Sequence, residues 1–172
     1  MSSLSMYNAV SVLPRLLDNL AHILRLGEDN AKERGIDPEV FLNARLAPDM
    51  WPLAKQVQTV AELSKMAPYR IADQTPPSYE GSPDSFAACY AVLERAKGDI
   101  EKITRADLDG QEDRAFTLEM GPNKIKMEFT GISYFSGFSL PNIHFHSTTI
   151  YNILRANGVP LGKVDYFGGA MN

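Results

Sequence analysis

The sequence predicts an all-α protein, a four-helix bundle with one short amphipathic β-hairpin inserted before the last helix. Three observations carry this. Apolar residues recur at alternating spacings of three and four along several long stretches, as in helices that bury one face. One stretch, about residues 115–129, alternates residue by residue instead, as paired strands do. Pro and Gly cluster between the periodic stretches, which fits connections inside one domain spanning residues 1–172.

The first helix is expected from about Ser2 to Arg34. Met6, Val10, Leu13, Leu17, Leu20 and Leu24 form its inner stripe, widened by Val12, Leu16 and Ile23. Ser11, Arg15, Asp18, His22 and Arg25 fall on the wetted face. Pro14 lacks a backbone donor and should kink the helix, and Gly35 is a plausible stop. Asp37-Pro38 opens a short helix that Pro48 interrupts. The second long helix is expected near Met50, capped by Asp49, with Leu53, Val57, Val60, Ser64, Ala67 and Ile71 facing inward. Pro68 should bend or end it, and residues 73–81 read as a loop. Ser82-Pro83 is expected to open the third helix, which buries Phe86, Tyr90, Leu93, Ala96, Ile100 and Ile103 and ends near Arg105.

The hairpin follows. Phe116, Leu118 and Met120 alternate with polar residues, as do Ile125, Met127 and Phe129, with Gly121-Pro122-Asn123 between the two runs. A lone hairpin is marginal in water, so its apolar face should rest on the helices. The last helix is expected from Gly131 to Asn157, with Thr130 as cap and Pro141 as a kink or restart capped by Ser139. Ile143, His146, Ile150, Ile153 and Leu154 face inward; Gly158 closes the helix and Pro160 prevents its continuation. The tail, 159–172, should pack over the surface.

Composition narrows the function. With 17 Lys+Arg against 21 Asp+Glu in 172 residues, the net charge is −4. That argues against a nucleic-acid binder, which needs a basic face. No stretch is apolar for the length of a membrane span, and the first residues lack a basic start and an unbroken apolar run, so a cytoplasmic protein is expected. One Cys excludes an internal disulfide framework.

Few residues could carry chemistry. Phosphate-binding Gly loops, a nucleophile elbow and the paired-His zinc motif are all absent. Cys89 lies in the third helix without a predictable basic partner and reads as a packed thiol. Asp107, Asp109, Glu112 and Asp113 lack the order of a calcium loop and read as a solvated segment. Tyr134, Phe135 and Phe138 read as core. Of the histidines, His22 falls on a polar face. His144 and His146 are two apart and point about 200° away from each other on a helix, so only His146 faces inward. Asn142 lies one turn before it and can project into the same space. Gln56, Gln58 and Thr59 are the nearest polar residues on the second helix. The candidate ligand pocket is therefore Gln56, Thr59, Asn142 and His146, a hydrogen-bonding set rather than a strong metal site. An inward His of this kind is more often a hydrogen-bonded core residue than a ligand.

The segments APDMWPLAKQVQTV and LPNIHFHSTTIYNILRANGVPLGK resemble the DinB/YfiT-like superfamily, in a branch known only as a domain of unknown function. Leu154-Arg155 and Gly158 match its last helix, and His146 matches the second of two family histidines four apart. The first falls on Asn142, and a third, on helix two, would fall within Gln56 to Thr59, where no His occurs. The resemblance implies a DinB-like four-helix bundle, and putative metal-dependent enzymes such as thiol transferases as relatives. Against that background the sequence reads as a bundle that has lost the three-His metal site, with no metal and no other cofactor. A small-molecule binding or scaffold protein is the expected function. The alternative is an enzyme, hydrolase or thiol-transferase-like, that uses His146 as general base or weak metal ligand. A homodimer without membrane or nucleic-acid partners is also expected.

Overall fold

Pro14 decides how the first helix is built. In the computed structural model of the chain, which describes residues 5–121 and 123–168, the expected single helix is two: α1 (Met6–Val10) and α2 (Val12–Glu33), broken at Ser11. Without an N–H, Pro14 cannot bond the carbonyl four residues back, at Val10; in the first turn of a new helix that donor is not needed. The expected start at Ser2 lies outside the described residues. The stripe Met6, Val10, Leu13, Leu17, Leu20 and Leu24 is buried, whereas Val12 is exposed. Burying each leucine contributes about 2 kcal/mol. Gly35 ends α2 at a φ of +66°, with Gly35 N–H on the Lys32 carbonyl and Ile36 N–H on that of Ala31.

After the short α3 (Glu39–Asn43), α4 runs Leu53–Ile71. It starts at Leu53, not near Met50, and Asp49 does not cap it. Pro52 holds Trp51 out of helical backbone, so the helix begins only after it. Pro68 stays inside α4, which continues to Ile71. The next helix, α5 (Phe86–Ile100), is capped by Ser85, whose hydroxyl accepts from Ala88 N–H. Ser82 does not open it, because its hydroxyl donates to Gln58 Oε1. The helix also stops before the expected Arg105. Thr104 and Asp107 form a capping box that opens α6 (Arg105–Leu108).

Strands β1 (Ala115–Met120) and β2 (Ile125–Thr130) pair antiparallel, with Phe116 opposite Phe129, Leu118 opposite Met127 and Glu119 opposite Lys126. The last pair is an ion pair at 3.9 Å. The apolar face rests on the body through Phe116, Leu118 and Phe129. Phe116 and Phe129 pack on Tyr134, while Ile125 and Met127 are exposed. The side chain of Met120 and all of Pro122 lie outside the described residues.

Thr130 caps α7 (Gly131–Tyr134), which passes without a break through a π turn (Phe135–Ser139) into α8 (Leu140–Ala156). The ladder widens in the turn before Pro141, where Leu140 N–H reaches back to the Phe135 carbonyl, so Ser139 makes no capping bond. Gly158 closes α8 at a φ of +88°. The tail buries Val159 and Leu161 and forms α9 (Lys163–Tyr166); its residues 169–172 lie outside the described residues.

Among the described residues, four helices reach fifteen residues or more: α2, α4, α5 and α8. α4 packs on α5 and α8, and α2 packs on the same two. No helix among the described residues is long and apolar enough to cross a membrane.

Candidate functional site

α8 presents His146 to α4 between the buried Ile143 and Ile150. Its Nδ1 lies 2.6 Å from Oε1 of Gln56, itself buried on the first turn of α4. The other end of the amide is also committed: Gln56 Nε2 donates to the Trp51 carbonyl at 3.2 Å. That bond settles which end of Gln56 is the acceptor, so Nδ1 carries the hydrogen and donates. In the neutral ring the lone pair then sits on Nε2. Burial pushes the imidazole pKa below its usual 6.5, because the charged form loses water.

Two aromatic rings frame the imidazole. Trp51 stacks on it with centroids 5.7 Å apart and planes 13° from parallel, and Phe145 meets it edge-on at 5.3 Å. Both rings are substantially exposed, 49% for Trp51 and 61% for Phe145. The cluster is a half-open patch at the end of α4, not an enclosed chamber. The cavities of about 230 to 310 Å³ elsewhere in the structure are walled by other residues.

Of the four residues expected to line the pocket, the structure joins two. Gln56 and His146 are bonded. Thr59 turns its hydroxyl to the Lys55 carbonyl of its own helix at 2.8 Å. Asn142 is half-buried one turn before His146 on α8, with no hydrogen bond to either partner among the described residues. Trp51 was missed from the sequence. The available signal was its place just before Pro52, on the segment that leads into Gln56.

A metal of the kind the family resemblance implies does not fit these residues. The donors would be one imidazole whose Nδ1 is taken and a carboxamide engaged at both ends. Carboxamides are weak neutral ligands for zinc or nickel. Among the described residues no group of three or more His, Cys, Asp or Glu is placed to hold a metal ion.

The remaining candidates have structural partners. Cys89 is fully buried, and burial together with nearby Asp84 pushes its thiol pKa to about 12. His22 Nε2 lies 4.0 Å from Asp165 of α9. The acidic segment is not simply solvated. Asp109 accepts from the Ser5 hydroxyl at 2.6 Å, and Asp107 caps α6. A second polar cluster was not legible in the sequence. Buried Lys65 donates to the Pro77 carbonyl at 2.6 Å and lies 3.4 Å over the Tyr79 ring, while Tyr79 donates to buried Asp99 at 2.7 Å. Buried Gln58 donates to the Gly81 carbonyl at 2.6 Å. These bonds pin the connection between α4 and α5 to the helices.

A family described as "Domain of unknown function (DUF1993)" matches residues 6–167. The crystal structure of a DinB family member from Shewanella denitrificans is similar at 30% identity and a TM-score of 0.87, covering 96% of this chain and 93% of that one. No curated protein matches.

Proposed function

The chain belongs to the DUF1993 family and has a DinB-like fold, and we propose that it is a small-molecule binding protein without a resident metal. The reading takes the four long helices as the bundle that sets α4 against α8. The observation that carries it is the Gln56–His146 hydrogen bond beneath the exposed Trp51 ring. A neutral imidazole with Nδ1 occupied offers a single acceptor, Nε2, beside two aromatic faces. That combination suits a planar, uncharged ligand with one N–H or O–H donor, with Asn142 and Thr59 near its edge. Such binding needs no transition metal.

The chain's single Trp, Trp51, reports the site. Ligand binding there should change Trp51 emission, and His146→Ala should abolish the response while the fold is retained. Tag-free protein titrated with zinc should show no saturable site at micromolar metal; a firm one-to-one site lost in His146→Ala would sink the proposal. A second reading, an enzyme using His146 as general base, is favoured by one feature. A ring held by its Nδ1–H, with a pKa below 6.5, is unprotonated at neutral pH. Turnover that vanishes in His146→Ala without loss of stability would establish it. We extend the proposal to a homodimer, suggested by the exposed Ile125 and Met127 on the hairpin; a monomer in light scattering would remove that part.

A further inference from the structure

α8 carries a second feature on another flank. Ser147 follows His146 directly, so on the helix it points about 100° away from that ring. There, between α2, α8 and α9, lies a cavity of about 310 Å³. Leu16, Leu20 and Ile23 of α2, Leu140 of α8 and Phe167 after α9 make most of its wall, and Arg15, Asn19 and His144 also line it. Ser147 is on the wall, only 1% exposed, and its Oγ has no hydrogen-bond partner among the described residues.

An orphaned hydroxyl is costly. Buried polar groups are nearly always paired, and leaving one unpaired forfeits its bonds to water. Ser can usually turn its hydroxyl back to the carbonyl four residues earlier in a helix. Thr149 on the same helix does this, donating to Phe145 at 2.8 Å, but Ser147 does not. A small hydrogen-bonding group entering the cavity would meet that need once the Ser147 hydroxyl, itself covered, turns toward it.

We propose that this cavity is a binding site for a small, largely apolar molecule of one or two rings, with a single hydrogen-bonding group that meets Ser147 Oγ. The size follows from the volume, at the lower end of ligand pockets. The apolar character follows from the walls, most of which are Leu16, Leu20, Ile23, Leu140 and Phe167, with Arg15, Asn19 and His144 on the more exposed side. α9 closes one side and is held in place. Gly162 N–H donates to Asp165 Oδ2 at 2.6 Å, the Tyr166 ring meets Tyr151 edge-on at 6.1 Å, and the Tyr166 hydroxyl lies 3.4 Å from His144 Nδ1. The site shares no wall with the Gln56–His146 patch, so it stands whether or not that proposal does.

Indole and indene test it, being alike in shape and differing in the N–H. Binding to the full chain is read by saturation-transfer NMR and calorimetry. Wild type should bind both saturably below millimolar concentration and favour indole by about five- to tenfold, the worth of one hydrogen bond. Ser147→Ala should bind both equally and, free of ligand, melt at or above the wild-type temperature, since it removes an unpaired group. Leu16→Phe, at a half-buried wall position, should weaken both probes at least tenfold. Trp51 signals should not respond to either probe, which separates this site from the patch on the other flank. No saturable binding in wild type, an indole preference that survives Ser147→Ala, or binding indifferent to Leu16→Phe would each overturn the proposal.

Discussion

Replacing Gln56 with Glu puts a charged acceptor where a neutral one now stands. Gln56 Oε1 lies 2.6 Å from His146 Nδ1, so the carboxylate charge would sit on the order of 4 Å from the centre of the imidazolium charge. Opposite charges at that distance attract by about 4 kcal/mol at an effective dielectric of about 20, and by about 1 kcal/mol in water. His146 is half-buried, which places the interaction between these limits, at about 1.5 to 3 kcal/mol, or roughly one to two pKa units upward. The starting value lies below 6.5 because burial disfavours the charged ring. Gln56→Glu should therefore carry the His146 titration upward, by roughly one to two pKa units. The variant also loses the bond to the Trp51 carbonyl. Trp51, stacked on the ring and the only Trp of the chain, supplies the assay. Protonated imidazole quenches indole emission, so the midpoint of emission against pH reads His146. Wild type should quench with a midpoint below 6.5 and Gln56→Glu with one shifted upward. An unshifted midpoint in a variant with an unchanged circular dichroism spectrum would refute the contact between residues 56 and 146, and with it the candidate site.

Three further outcomes are expected. Because the folded-state pKa of His146 lies below its unfolded value of 6.5, the unfolded chain binds more protons between the two values. The stability this ring contributes is thus fully present above pH 6.5 and lost as pH falls through the folded value. Urea unfolding across that range should show a fall in wild type that is smaller in His146→Gln; parallel curves would contradict it. Gly131→Ala should cost about 2 to 4 kcal/mol, since a Cβ there overlaps the Gln111 backbone oxygen, which has no rotamer to give way; a wild-type melting temperature would contradict the packing. Lys65→Met keeps the volume but removes the donor to Pro77 and the cation over Tyr79, so amide exchange in residues 78–82 should quicken by at least tenfold, the equivalent of about 1.4 kcal/mol of local opening. Unchanged exchange there would show that the connection is held by other contacts.

What was legible in the sequence follows from the range of the forces involved. The inner stripes of α2 and α4 and the closing glycines Gly35 and Gly158 are set by local periodicity and backbone chemistry, and all stand in the structure. Boundaries went astray where a side chain had a better long-range partner than its own helix end. Ser82 donates to Gln58 across the α4–α5 connection, so Ser85 became the cap. Helix one broke at Ser11 rather than bending at Pro14 because the lost donor falls on the turn before the proline. In the candidate site, inward placement of His146 and the proximity of Gln56 could be read from helical spacing and family resemblance. Trp51 could not, because its stacking depends on where the chain enters α4. Nor could the cavity beside Ser147, which exists only once α9 folds back over α2.

The join between α4 and α8 is chiefly apolar. Where a metal site forms with folding, its binding energy is folding energy, and chelation unfolds the domain. Here the two helices pack on each other, and Val57 and Val60 of α4 and Ile143, Ile150 and Ile153 of α8 are all buried. Each aliphatic side chain among them contributes about 2 kcal/mol by burial. One neutral hydrogen bond adds only about 1 kcal/mol. The polar pair therefore contributes little to holding the helices together. Its physical effect is to fix one tautomer and one ring plane at the base of an exposed aromatic patch, a degree of order that packing alone does not require and that ligand recognition does.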